Sequence, residues 1–288
     1  MKPIIITGIT GSGKSALAVN IAKSFNGKAC VVNADASQLY SELKILTAYP
    51  TQQDIDAVSH KLFGILSPNE KISVSDWKIL AEKTIAETPV DYQTIICGGT
   101  GFYIDALIHG IADIPSVPQE FRKQVQQRFD TIGREKFFNE LLAIDPQTKL
   151  HPNDTQRILR AYEVALYTGK PLSQWWTNKQ DNENQYNMTI IIPDRSTVAE
   201  RCHVRLQKMI DNGLKEELID FTKKYPNYTG SLCSAVGYKE GIDWINGEIS
   251  QDEFLRLTHI RTMQYAKRQS TWFRNKFTHA NFIKEAKL

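Results

Sequence analysis

The chain has 288 residues, of which 41% are hydrophobic and 23% are charged, with a formal net charge of +3. This composition is that of an ordinary globular protein with one large or two modest domains. No apolar run approaches the ~20 residues of a membrane span, and the short run at residues 4–6 is not a signal peptide. The four cysteines form no Cys-x-x-Cys pair, which argues against a zinc or disulfide framework. We therefore expect a cytoplasmic protein that has no membrane partner and acts as a monomer.

The first predicted strand, at residues 4–6, leads into a glycine-rich loop that precedes a predicted helix. The spacing is Gly, four residues, Gly-Lys-Ser, which is the phosphate-binding loop pattern in its strand–loop–helix context. Such a loop binds phosphate through backbone N–H groups and the start of a helix. Lys14 is expected to reach a terminal phosphate, and the Ser15 hydroxyl to bind Mg²⁺. The predicted phosphate ligands are Gly8, Thr10, Gly11, Ser12, Gly13, Lys14 and Ser15. The loop is compatible with a kinase, an ATPase or a transferase.

A second apolar run, at residues 28–33, reads as a buried strand that is followed by a carboxylate, Asp35. The ends of strands in an α/β sheet carry the chemistry, so Asp35 is predicted on the same edge as the phosphate loop. Ser37, Gln38 and Tyr40 follow on the outgoing segment. From the residues alone, Asp35 is either a metal ligand or a general base.

A third strand, at residues 94–97, runs into Gly98-Gly99-Thr100-Gly101 and then a predicted helix. The hydroxyl of Thr100 can donate to a phosphate oxygen, although a tight turn without a ligand would give the same pattern. A typical P-loop ATPase or GTPase has a strand that ends in a Mg²⁺-binding aspartate. This strand ends in glycines instead. Among the predicted strands, the acid that follows a strand end is therefore Asp35, after the second strand.

From residue 113 the pattern changes to helices, and no convincing strand is predicted between about 112 and 187. The last helix of this region, 155–167, is expected to end at Gly169. We predict an α/β fold, with a P-loop NTPase-like parallel sheet flanked by helices and an all-helical insertion domain. Residues 1–112 and 188–288 form the catalytic core in this interpretation, and residues 113–187 form the insertion.

The returning strand, 188–193, precedes a helix that carries Arg201, Arg205 and Lys208 on or near one face. This row either closes on phosphates or is a solvated basic face. The last long helix, 251–273, mixes many cations with aromatic residues, as RNA-binding surfaces do. The alternative is an amphipathic terminal helix whose aromatic residues pack in the core.

Ordered motifs along nearly the whole chain resemble the tRNA isopentenyltransferase family. They are Gly8–Ser15; Asn33-Ala34-Asp35 with Gln38 and Tyr40; Gly98-Gly99-Thr100-Gly101 with Tyr103; His151-Pro152-Asn153-Asp154-Thr155-Gln156-Arg157; Gly169-Lys170-Pro171-Leu172; Gly237-Tyr238-Lys239-Glu240; and Tyr265-Ala266-Lys267-Arg268-Gln269 followed by Thr271-Trp272-Phe273-Arg274.

The resemblance implies transfer of a dimethylallyl group from dimethylallyl diphosphate to N6 of adenosine 37 in tRNA, with Mg²⁺ as cofactor and no obligate protein partner. Asp35 would accept the proton of the attacking amine, and Lys14, Thr100 and Arg205 would stabilise the departing diphosphate, with Arg201 as a second cation. The expected tRNA contacts are Ser37, Gln38, Tyr40, Gln156, Arg157, Arg160, Lys267 and Arg268.

Four positions depart from the family pattern. Ala36 stands for a serine, Tyr49 for a lysine, Ser59 for a histidine and Met263 for an arginine. The first change removes a hydroxyl beside Asp35, and the second and fourth remove cations expected near RNA. Three other functions remain open: prenylation of free AMP, ADP or ATP, a small-molecule P-loop kinase, and an RNA-binding protein without catalysis.

Overall fold

The computed structural model of the protein describes residues 1–177 and 182–285. The polar run at residues 180–185 predicts a loop, of which the first two residues lie outside the described ones. The chain divides into two compact units, of which the first comprises Met1–Ile108 with Asn182–Leu288 and the second comprises His109–Asp181. Among the described residues, no helix is both long and apolar enough to cross a membrane.

A six-stranded sheet in the order β3-β2-β4-β1-β5-β6 forms the centre of the first unit, and every neighbouring pair is parallel. The strands are β1 (Ile4–Gly8), β2 (Ala29–Asn33), β3 (Ser59–Lys61), β4 (Gln93–Gly98), β5 (Asn187–Ile191) and β6 (Asn281–Ile283). Because all strands run the same way, their carboxyl ends lie at one edge. The predicted fold class, a P-loop-like α/β sheet flanked by helices, is confirmed.

Among the described residues, the second unit contains the helices α5 (Gln119–Ile132), α6 (Arg134–Ile144) and α7 (Thr155–Thr168). The other α-helices are α1 (Lys14–Lys23), α2 (Gln52–Ala57), α3 (Val74–Glu87), α4 (Gly101–His109), α8 (Arg195–Asp211), α9 (Leu214–Lys224), α10 (Tyr238–Ile245) and α11 (Gln251–Lys276). Helix α3 begins at Val74, and the side chain of the preceding Ser73 forms a capping box with Asp76. The sequence Ser73-Val74-Ser75-Asp76 predicts this cap, and the prediction is confirmed.

The sheet has a different hydrophobic core on each face, because successive side chains of a strand point to opposite sides. On β1, Ile5 belongs to the larger core with residues of α3, α4 and α8–α11, whereas Ile6 belongs to a smaller core with α1. Val32 and Val31 of β2 divide in the same way. The near-continuous apolar runs in the sequence therefore come from strands that are buried on both faces.

Two short strands were not predicted, and both lie at the edges of the sheet. Strand β3 has the sequence Ser-His-Lys and β6 has Asn-Phe-Ile, so neither carries a continuous apolar run. Each is defined by parallel pairing with one inner strand, β2 or β5. An edge strand with one covered side does not need the hydrophobic pattern that identifies an inner strand.

The second unit has its own core between α5, α6 and α7, and no strand lies in its described residues 109–177. The fully buried members of that core include Phe137, Leu141 and Ile158. Gly169 adopts the left-handed conformation that ends α7 (φ 68°). The buried carboxylate of Asp145 accepts hydrogen bonds from the backbone N–H (3.1 Å) and hydroxyl (2.6 Å) of Ser173, which fastens the segment after α7 to the end of α6.

The adjacent residues Leu141 and Leu142 allow a matched test of this core, since Leu141 is fully buried and Leu142 is 37% exposed. Leu141→Ala is expected to destabilise the second unit by about 2–5 kcal/mol through lost burial and a residual cavity. Leu142→Ala removes the same atoms and should change stability by less than about 1 kcal/mol. Urea unfolding and amide hydrogen exchange of residues 119–168 in the full chain measure both. Equal effects of the two substitutions would contradict the packing described.

Candidate active site

The candidate site is a cavity of about 610 Å³ in the first unit, at the edge where the strands end. Its wall combines the loop after β1, the segment after β2, the turn after β4 and side chains of α8 and α11. The lining residues that bear polar chemistry include Thr10, Lys14, Ser15, Asp35, Ser37, Gln38, Tyr40, Thr100, Tyr103, Arg205, Tyr265, Arg268 and Gln269. Parallel pairing thus brings together groups that lie far apart in the sequence.

The loop after β1 has the backbone of an anion site. Gly13 is left-handed (φ 86°) at the start of α1, which turns the chain so that N–H groups at the helix start point into one space. Gly8 serves packing instead: a Cβ there would lie 2.2 Å from the Ile191 carbonyl oxygen of β5, and Gly8 does not line the cavity. Of the predicted phosphate ligands, Thr10, Lys14 and Ser15 line the cavity directly.

Lys14 is partly buried where it lines the cavity. Burial lowers the pKa of its ammonium, the charge of Arg205 lowers it further, and the charge of Asp35 opposes the shift. The Nζ atom donates to the Ile9 carbonyl oxygen at 3.4 Å. An anion bound beside this ammonium would favour its charged form. Lys14 is therefore arranged to gain a partner when phosphate binds.

The cations of α8 do not act as one row. Arg205 lines the cavity and donates from Nη2 to the Thr10 hydroxyl oxygen at 3.0 Å, and its buried Nε has no hydrogen-bond partner among the described residues. Arg201 donates from Nη1 to the Ser12 carbonyl oxygen at 3.1 Å, which fixes the loop from outside the cavity. Lys208 is exposed. The buried Ser12 hydroxyl also lacks a partner within the described chain but does not line the cavity, so the unpaired Arg205 Nε is the buried polar group here that suits an anion.

Asp35 and Thr100 are held by short local contacts. Asp35 Oδ1 accepts hydrogen bonds from the Ser37 backbone N–H (3.1 Å) and hydroxyl (2.8 Å). Thr100 Oγ1 accepts from the Ala36 N–H at 2.9 Å, while the Thr100 N–H donates to the Ala34 carbonyl oxygen at 3.1 Å. The Thr100 hydroxyl proton is then free to point into the cavity. The hydrogen bond between Thr100 and position 36 comes from the backbone N–H, so it forms with alanine at that position as it would with serine.

Two tyrosines near Asp35 remain neutral phenols. Burial, assisted by the charge of Asp35, raises the pKa of Tyr103 and that of Tyr265 to about 12. Tyr103 also stacks on the fully buried Trp77, with ring centroids 4.4 Å apart. These rings give the middle of the cavity an apolar wall with hydroxyl groups that stay protonated, in which water is displaced and electrostatic interactions strengthen.

Gln269 of α11 is a site residue that the sequence reasoning did not single out. Its Oε1 accepts from the Thr10 N–H and its Nε2 donates to the Gly99 carbonyl oxygen, both at 2.8 Å. The buried amide therefore joins the phosphate loop to the second glycine-rich turn. The sequence did offer one indication of this role, since Gln269 directly follows the basic residues Lys267 and Arg268. A buried side-chain amide can accept one hydrogen bond and donate another at the same time.

The predicted RNA contacts fall into two groups. Around the cavity, the Gln38 amide donates to the carbonyl oxygens of Thr47 (3.0 Å) and Ala48 (2.7 Å), and Tyr40 is buried and donates to the Glu70 carbonyl oxygen at 3.3 Å. Both residues line the cavity, as do Ser37 and Arg268, whereas Lys267 is exposed and does not. Gln38 and Tyr40 thus shape the wall through their own hydrogen bonds.

The second group lies on the first turns of α7, in the second unit. Gln156 and Arg157 are exposed, and Arg160 is partly exposed. Arg157 pairs with Asp154 at 3.4 Å and Arg160 with Glu163 at 3.5 Å. The Arg157 pair is the more exposed of the two, and exposed pairs contribute little to stability, so Arg157 can exchange its partner for phosphate at low cost.

The donor set of the cavity fits Mg²⁺ bound together with a phosphate ligand. The exposed Ser15 hydroxyl and the Asp35 carboxylate are hard oxygen donors that line the same cavity. No group of three or more His, Cys, Asp or Glu suited to a metal occurs in residues 1–177 and 182–285. Mg²⁺ commonly takes one or two protein ligands and completes its shell with phosphate oxygens and water, so this sparse set is sufficient.

The chain is similar in sequence to one family of proteins and to its individual members. The family described as IPP transferase matches residues 38–276. The tRNA dimethylallyltransferase of Pelagibacter ubique is 38% identical over 96% of this chain and 90% of its own length. That of Bartonella henselae is 39% identical over 95% of both chains.

Solved structures extend the similarity to the fold. The tRNA delta(2)-isopentenylpyrophosphate transferase of Staphylococcus epidermidis is 30% identical, covers all of this chain and 94% of that one, and has a TM-score of 0.67. A eukaryotic dimethylallyltransferase acting on tRNA has a TM-score of 0.82 at 23% identity, over 99% of this chain and 73% of that one, and shares the fold alone.

Gln269→Leu should loosen the phosphate loop, because it removes both hydrogen bonds that join the loop to Gly99. The expected result is faster amide hydrogen exchange at residues 8–15, with a loss of about 1–3 kcal/mol of stability from the unpaired Thr10 N–H and Gly99 carbonyl. Gln264→Leu makes the same change at an exposed position of α11 and should leave exchange in the loop unaltered. Unchanged exchange in the Gln269 variant would show that the loop is held by other contacts.

Proposed function

This chain belongs to the IPP transferase family, and we propose that it is a tRNA dimethylallyltransferase. It transfers the dimethylallyl group of dimethylallyl diphosphate to N6 of adenosine 37, beside the tRNA anticodon, and releases diphosphate. The observation that carries the proposal is one cavity that contains Lys14 of the phosphate loop, the carboxylate of Asp35 and Arg268 of the basic helix. Such a cavity can hold a diphosphate and an RNA base together.

In this reaction the phosphate loop binds a leaving group. The allylic carbon–oxygen bond breaks as negative charge builds on the diphosphate, so the groups that matter are those that bind this charge more strongly as it develops. Lys14 and Arg205 supply positive charge, and Thr100 can donate its hydroxyl proton. Arg201 holds the loop in shape through the Ser12 carbonyl. Mg²⁺ held by the Ser15 hydroxyl and the phosphate oxygens would neutralise further charge on the diphosphate.

The acceptor half of the reaction depends on Asp35. The N6 nitrogen forms a bond to the allylic carbon, and one of its protons must leave as it does so. Asp35 accepts that proton as a general base, with its Oδ1 fixed by Ser37. The walls formed by Tyr103 and Tyr265 keep water from the cation-like allylic centre, which water would otherwise capture.

The remaining contacts serve the RNA. A cavity at the sheet edge can take the acceptor adenine only if the base leaves its stack. Ser37, Gln38, Tyr40 and Arg268 surround the base at the cavity, and Lys267 contacts backbone phosphate beside it. We assign residues 113–187 to a helical insertion that contacts tRNA through Gln156, Arg157 and Arg160. We expect a monomer, and the free cysteines of the chain suit the reducing cytoplasm.

The deciding experiment combines the protein with dimethylallyl diphosphate, Mg²⁺ and undermodified tRNA, and measures prenylated adenosine by mass spectrometry. Product should form with tRNA, should be lost when EDTA removes the divalent cation, and should not form with AMP as the acceptor. Product with AMP but not with tRNA would replace this proposal by prenylation of free nucleotides. Absence of product from a folded protein would reject prenyl transfer.

Asp35→Asn keeps an oxygen for the hydrogen bonds from Ser37 but removes the basic carboxylate. We expect kcat to fall by about 10²- to 10⁴-fold, which is the usual contribution of a general base, while the affinity for tRNA changes by less than about twofold. Asp56→Asn makes the same change at an exposed carboxylate on α2 and should leave kcat unaltered. A near-normal kcat for Asp35→Asn would refute its role as the base.

A further inference from the structure

Three rings form an aromatic wall in the cavity, which we define as Tyr49, His60 and Phe63. The ring of Phe63 contacts Tyr49 with centroids 5.7 Å apart and His60 with centroids 5.2 Å apart, at interplanar angles of 79° and 71°. All three residues line the cavity. Neither contact is a parallel stack, so a flat ligand that enters the cavity can add one.

The order of the strands fixes where the aromatic wall lies along the cavity. The phosphate loop follows β1, Thr100 follows β4, Asp35 follows β2 and Phe63 follows β3, and these strands are neighbours in the order β1-β4-β2-β3. Neighbouring strands are about 4.8 Å apart. The wall is thus one strand beyond Asp35 and about 14 Å, or three strands, from the phosphate loop. It lies on the acceptor side of the general base, away from the diphosphate.

The segment that carries Tyr49 is held firmly by its neighbours. Glu217 of α9 accepts hydrogen bonds from the backbone N–H groups of Ile45 (2.7 Å) and Leu46 (3.0 Å). The Gln38 amide binds the two carbonyl groups just before Tyr49, and the Tyr49 N–H donates to the Lys44 carbonyl oxygen at 2.9 Å. A ring that is fixed before binding loses little conformational entropy when a base stacks on it.

Two polar features accompany the rings. The Lys44 ammonium lies 5.1 Å from the centroid of the Tyr49 ring, where it can pair with a phosphate next to a stacked base. His60 Nδ1 lies 2.8 Å from the Val58 carbonyl oxygen, and since a carbonyl only accepts, Nδ1 carries the proton. In neutral His60 the Nε2 lone pair is then available to an amino group of a base. Rings, a cation and an acceptor together suit a nucleotide.

We propose that the aromatic wall binds the base of a nucleotide adjacent to the acceptor adenosine, with Tyr49 as its stacking platform. This inference rests on the proposed function, and it concerns selection of the RNA rather than prenyl transfer itself. Because every base has an aromatic face, stacking tolerates sequence change that a hydrogen bond would not.

The test uses an anticodon stem-loop RNA in three forms: intact, or abasic at the nucleotide on either side of the acceptor adenosine. With the wild-type protein, removal of one of the two flanking bases should raise the KM for RNA about tenfold, as expected for one lost stacking contact. Tyr49→Leu should raise the KM for intact RNA by a similar factor and abolish the difference between the intact and abasic forms. The KM for dimethylallyl diphosphate should stay the same in every case.

Matched variants distinguish stacking from a general effect. Tyr49→Phe keeps the ring and should retain the sensitivity to the abasic nucleotide, and Tyr49→Lys should lose it. Phe282→Leu removes a ring on β6, at the opposite edge of the sheet, and should behave as wild type. If Tyr49→Leu does not fold, Phe63→Leu measures the same coupling.

Two outcomes separate the inference from the function on which it rests. Prenylation of the intact RNA with equal sensitivity to abasic nucleotides in wild type and Tyr49→Leu overturns the stacking assignment and leaves the function standing. Failure of the wild-type protein to prenylate either the stem-loop or full-length undermodified tRNA overturns the proposed function first.

Discussion

The parallel pairing of β1 with β4, of β4 with β2 and of β2 with β3 is the constraint on which the site depends. It places the loops that follow these four neighbouring strands at one edge, and each loop contributes a different chemical group. The order of strands becomes an order of functions, from the phosphate loop through Thr100 and Asp35 to the aromatic rings after β3. A change in strand order would leave every motif intact and still separate the base from the diphosphate.

Partial burial changes the charge properties of the side chains at this edge. The Lys14 ammonium is desolvated, which lowers its pKa, and Arg205 and Asp35 act on it in opposite directions. Under the proposed function, an incoming diphosphate would bring negative charge to these partly buried cations, so binding and charge compensation would be the same event. The contacts of Gln269, Arg201 and Arg205 with the loop keep it in the shape that receives the ligand.

Features that depend on neighbouring residues in the sequence could be predicted, whereas features that depend on contacts between distant residues could not. Inner strands buried on both faces produce apolar runs, and the phosphate loop has a fixed spacing, so both could be predicted. The edge strands β3 and β6 carry no such run because pairing with one neighbour is enough to define them. Gln269 bonds to Thr10 across 259 residues, and no local pattern reports such a contact. Helical spacing also could not show that Phe273 of α11 is fully buried in the core, while Tyr265 lines the cavity.

Of the four departures from the family pattern named in the sequence analysis, Ala36 follows Asp35, Tyr49 and Ser59 lie on or before β3, and Met263 packs from α11 against the larger core. At position 36 the hydrogen bond to Thr100 comes from the backbone, so the catalytic geometry does not depend on the missing hydroxyl. Two of the departures exchange positive charge for a ring or an apolar side chain. These four positions lie outside residues 8–15, so under the proposed function they bear on the acceptor RNA more than on the diphosphate.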